Sequence, residues 1–137
     1  MTALITVLIV LKMLLHSLNA FSATPGNVAE AAGGYLGAAY LMAEAANTEC
    51  RYAIRVDAAR VKRSAEKEIE SVLTKDEIHD FLKFRRKVEF ESKEIVSGML
   101  KKIKANNFDD KTACGILSGF IHQNFGTYQE LWRRSIK

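Results

Sequence analysis

Proline occurs once in this chain, at Pro25, and no stretch rich in proline, glycine and serine divides the residues after it. That excludes a flexible linker between separate units, and no internal repeat or low-complexity tract is present either. Cysteine is almost as scarce: Cys50 and Cys114 stand far apart, so no Cys-x-x-Cys supports thiol redox catalysis. Histidine is limited to His16, His79 and His122. Asp76 and His79 share a helix face at i, i+3, but a metal site wants three or four ligands, so a solvated face is the plainer reading there. His122, next to Gln123 and Asn124, reads as a hydrogen-bonded surface or boundary imidazole. No serine stands in a Gly-x-Ser-x-Gly setting. The carboxylate pairs Glu89/Glu91 and Asp109/Asp110 fall on expected helix surfaces or caps, where nothing in the sequence would raise a pKa. Neither a metal nor a cofactor is expected, and the chain does not read as an enzyme.

Acidic residues are also missing from the start, since none precedes Glu30. The apolar run from Leu4 to Leu18 is broken by Lys12 and diluted by His16 and Ser17, whereas a membrane span needs about 20 consecutive apolar residues. Ala20-Phe21-Ser22-Ala23 then offers small residues at the minus-three and minus-one positions of a peptidase site. These features predict a signal peptide over residues 1–22, cut after Ser22, and a single helical domain over 23–137. The product would be periplasmic or secreted. The alternative keeps the run as an inner-membrane anchor, and only then is membrane contact expected.

The formal net charge of +4 is mildly basic rather than polycationic. Aromatic residues interleave poorly with the basic ones, so nucleic acid is not an expected partner. In an exported chain the two cysteines predict one disulfide. Closing so long a loop stabilises a small domain by roughly 4 kcal/mol in the chain-entropy model.

Apolar periodicity predicts an all-α fold, a small bundle of three to four helices. Leu36, Tyr40, Ala43, Cys50, Ile54, Ala58, Val61, Ala65, Ile69 and Val72 keep one stripe, read as one long N-terminal helix or two end to end, with a kink or break at Asn47-Thr48. Thr74-Lys75-Asp76-Glu77 has the form of a capping box opening a second helix, whose core face is Ile78, Phe81, Leu82, Val88, Ile95, Met99 and Ile103. A turn at 105–110 comes next, and the last helix, from about Lys111 to Arg134, puts Cys114, Leu117, Ile121, Phe125, Tyr128 and Trp132 on one face. The Cys50–Cys114 bridge would then staple the first and last helices. Gly33-Gly34-x-x-Gly37 and Gly115-x-x-x-Gly119 read as small faces for close helix packing.

Charge is the remaining clue. Arg51, Arg55, Arg60, Lys62 and Arg63 form one basic group, Lys83, Arg85, Arg86 and Lys87 a second, and Lys101, Lys102 and Lys104 a third. The plainer reading is solvated faces with i, i+4 pairs to neighbouring glutamates; otherwise the partner is acidic. Candidate partner-binding residues are Arg51, Arg55, Arg85 and Arg86, with Asn106, Asn107 and Phe108 in the last turn. Phe108 reads either as an exposed anchor or as a hydrophobic staple. Together these features predict a small exported helical protein that works by protein–protein binding, as an immunity protein or inhibitor of an envelope-acting enzyme or toxin does. The alternatives are a periplasmic chaperone or pilotin-like adaptor of a secretion system, or a membrane-anchored subunit of an envelope complex.

Overall fold

The computed structural model describes residues 27–137, so the signal segment expected over 1–22 lies outside the described residues. The described residues form five helices in order: α1 (Asn27–Ala46), α2 (Arg51–Ile54), α3 (Ala58–Glu70), α4 (Lys75–Lys104) and α5 (Asp110–Ser135). This part of the chain is all-helical, with one or two more helices than periodicity predicted.

Each long helix after α1 begins at a side-chain cap that satisfies amide donors left free by helix geometry. Asp57 accepts from the Arg60 amide at 3.1 Å and opens α3. Thr74 and Glu77 form the expected capping box, with the Glu77 carboxylate accepting from the Thr74 amide at 2.9 Å and the Thr74 hydroxyl accepting in return. Asp109 accepts from the Thr112 amide at 2.7 Å and opens α5. Lys101, Lys102 and Lys104 occupy the last turn of α4, where the macrodipole favours cations.

The long N-terminal helix is a correction. The stripe from Leu36 to Val72 is divided among α1, α2 and α3, and the chain doubles back rather than continuing. The Tyr40 hydroxyl donates to Glu66, yet 26 residues of straight helix would separate them by about 39 Å. Lys62 lies over the same Tyr40 ring, 5.3 Å from its centroid. α1 ends at Ala46, at the break expected at Asn47-Thr48, and a second break follows where Asp57 caps a new helix; Val72, expected in the core, is exposed.

Every residue from Ala32 to Ala43 is buried, so α1 is apolar around its whole circumference rather than along one face. It packs against α3, α4 and α5. Tyr35 of α1 stacks on Trp132 at 6.2 Å and meets Phe125 at 5.8 Å. Gly34 is required here: a Cβ would lie 2.4 Å from the Tyr128 ring. Gly115 and Gly119 do not pack as predicted, since nothing lies within 4 Å of a Cβ at either. The inner face of α4 is Phe81, Phe84, Val88, Ser92, Ile95, Val96, Met99, Leu100 and Ile103, whereas Ile78 and Leu82 are only half-buried. Phe125 and Tyr128 of α5 are likewise half-buried.

Candidate functional site

The most constrained surface feature is the four-residue helix α2. Such a helix has too little length to be stable alone, because nucleation costs more than one turn returns, and three attachments hold it. Cys50, immediately before it, is bonded to Cys114 of α5, with Cα atoms 5.0 Å apart. The Ser118 hydroxyl donates to the Ala53 carbonyl at 3.0 Å. His122 Nε2 lies 2.9 Å from the Ile54 carbonyl oxygen, and since a carbonyl can only accept, the imidazole proton sits on Nε2. The preceding turn is closed by Thr48, whose hydroxyl donates to Ala45 and accepts from the Cys50 amide.

Held in this way, α2 turns Arg51, Tyr52 and Arg55 outward, with Tyr52 55% exposed. Arg55 closes the helix in the left-handed region, at φ 57°, which a non-glycine residue adopts at a cost. Its amide donates to the Arg51 carbonyl and its Nε to the Tyr52 carbonyl at 3.2 Å. A shallow groove of about 630 Å³ runs alongside, lined by Thr48, Glu49, Arg51, Tyr52, Arg55 and Val56.

The α4–α5 turn belongs to the same end of the molecule. Lys104 bridges Glu49 at 2.5 Å and Asp110 at 3.5 Å, and the bond to Glu49 raises the Lys104 pKa above the usual lysine value. Asn106 Nδ2 donates to the Lys102 carbonyl at 2.8 Å, and Asn107 takes a left-handed φ of 61°, so both asparagines help to end α4. Phe108 is half-buried and packs against the core. The structure therefore brings Arg51 and Arg55 to the same end as Asn106, Asn107 and Phe108. Arg85 and Arg86 lie elsewhere, midway along α4, and Arg85 pairs with Glu66 at 3.5 Å.

Tyr52 and Ser118 are the parts that sequence reasoning missed, and His122, expected as a hydrogen-bonded imidazole, bonds to a partner that the sequence did not indicate. The Arg51-Tyr52 and Arg55 spacing was visible, but nothing in the pattern showed that Ser118 and His122 reach α2 carbonyls. Asp76 and His79 are both exposed on α4. Among the described residues no group of three or more His, Cys, Asp or Glu could hold a metal ion, and no helix is long and apolar enough to cross a membrane. Comparison with protein-family models, with curated proteins and with solved structures finds no match for the chain.

Proposed function

We propose that this chain is an exported, disulfide-stapled protein that acts by binding another protein through the end formed by α2, as an inhibitor or immunity protein occludes its target. One observation carries the reading: a helix too short to persist alone is pinned by a disulfide and two hydrogen bonds while its outward side offers one tyrosine and two arginines. Tyrosine and arginine dominate interface hot spots, and pinning them in advance reduces the ordering cost of binding. The left-handed Arg55 keeps local strain where glycine would remove it, which fits a side chain retained for contact.

Export is part of the proposal, supported by the apolar start of the sequence and by the Cys50–Cys114 pair, which suits an oxidising compartment. Occlusion is favoured over escort because the grooves at this end are shallow, whereas holding a partner helix needs a groove that can seat its apolar face.

The test is capture from the native cell envelope with the wild-type chain and with the Arg51→Ala/Tyr52→Ala/Arg55→Ala variant. A stoichiometric protein held by the first and lost from the second is the expected result. A partner retained equally by both would move the site elsewhere, and capture of nothing would end the binding reading.

A further inference from the structure

The outer face of α4 is a second surface, which the binding end leaves unused. At about 100° per residue, Phe90 lies diametrically opposite Phe81 and Met99, the buried centre of the helix. It is 67% exposed, the most exposed of the large apolar side chains among the described residues. Around it on the same side stand Lys83, Arg86, Lys87 and Lys93, all exposed. Lys87 reaches Glu91 at 3.8 Å, but Lys83, Arg86 and Lys93 have no ion pair among the described residues. Asp76 and Glu94 are the acids within this arc, and they leave it strongly basic.

We propose that this face docks on an anionic lipid surface, with the cations at headgroup level and Phe90 inserted at the acyl boundary. A long helix with lysine and arginine beside one exposed aromatic has the chemistry of interfacial binding. The extent agrees: from Lys75 to Lys101 the face follows one helix for about 39 Å, so its cations can meet a planar surface together. A second copy meeting the same face would set like charges against each other, which disfavours self-association.

The experiment uses the protein as an exporting host delivers it, with vesicles of neutral phosphatidylcholine alone or with about 30% phosphatidylglycerol, followed by flotation and titration. Binding should require the anionic lipid and should fall steeply with added salt. Lys83→Gln/Arg86→Gln should weaken it roughly 25-fold, as expected for two cations near an anionic surface. Phe90→Ser should weaken it at unchanged charge. Arg63→Gln/Lys67→Gln on α3, which removes the same net charge from another exposed site, should leave it within about twofold of wild type. All three sets of positions are exposed, so circular dichroism should report unchanged folding. Any contribution from residues 1–26 is common to all variants and cancels. Absent preference for anionic vesicles, or equal loss from the α3 and α4 variants, would overturn the proposal. So would a Phe90-dependent dimer in sedimentation without lipid, which would make the occupant a second copy.

Discussion

Tyr40 of α1 and Glu66 of α3 share a hydrogen bond across the fold-back of the chain, and Arg85 of α4 closes on the same carboxylate. Three helices are thus fixed relative to one another by one half-buried network. Tyr40→Phe should cost about 1–2 kcal/mol, since it removes a donor from a carboxylate that remains screened from water. Tyr40→Phe combined with Glu66→Gln should show non-additive losses in urea unfolding.

Opposite pH limits should loosen different parts. Burial raises the Tyr40 and Tyr35 pKa values above the ordinary 10.0, so their contribution is complete below that value and declines as pH rises beyond it. Glu77 and Asp109 shift the other way, each held down by the amide it caps. Their contribution is complete above the unfolded values of 4.5 and 3.8 and is lost as pH falls through the lower folded values. Amide exchange should therefore show the starts of α4 and α5 fraying in acid.

Glycine-to-alanine changes should split by position. Gly34→Ala places a methyl against Tyr128 and should destabilise by roughly 1–3 kcal/mol despite alanine's better helix propensity. Gly119→Ala meets open space and should stabilise by about 0.5–1 kcal/mol. Denaturant midpoints of the two variants should move in opposite directions.

Replacing Cys50 and Cys114 together by alanine should lower stability by about 4 kcal/mol at most, from a bridge with sequence separation 64. Both cysteines are buried, at 0% and 1% exposure, so reductant should act on the folded protein only as fast as it opens. Labelling of thiols should track unfolding as temperature rises.

Arg55→Gly should relieve the left-handed backbone and stabilise by about 1 kcal/mol. If the residue serves partner contact, the same variant should bind more weakly. A gain in stability without loss of capture would show that the strain serves something else.

The parts of the fold that were legible in the sequence are those written in local chemistry. The capping box at Thr74 and Glu77, the cap at Asp109 and the cysteine pairing all rest on short-range signals or on forced choice. The break at Asn47-Thr48 was legible too, but the fold-back through 51–57 was obscured because α1, α2 and α3 each place apolar residues in phase with a single stripe, and phase alone cannot tell a continued helix from one that turns back. Asp57 before Ala58 was the available signal, a cap inside a supposed helix. The uninterrupted apolar and small residues from Ala32 to Ala43 likewise marked a helix buried on every side. At the candidate site the arginines were visible in the chain, but Ser118 and His122 act across more than 60 residues on backbone oxygens, and no side-chain pattern encodes that pairing.

The bridge between Cys50 and Cys114 also makes the intervening chain a covalent ring that contains α2, α3, α4 and the turns between them. A protease that cuts once at the exposed turn around Val72 therefore nicks the molecule without dividing it. The two pieces separate in mass only after reduction, and until then the nicked protein keeps Arg51, Tyr52 and Arg55 tethered to α5. The bridge thus gives tolerance to a single cut as well as stability.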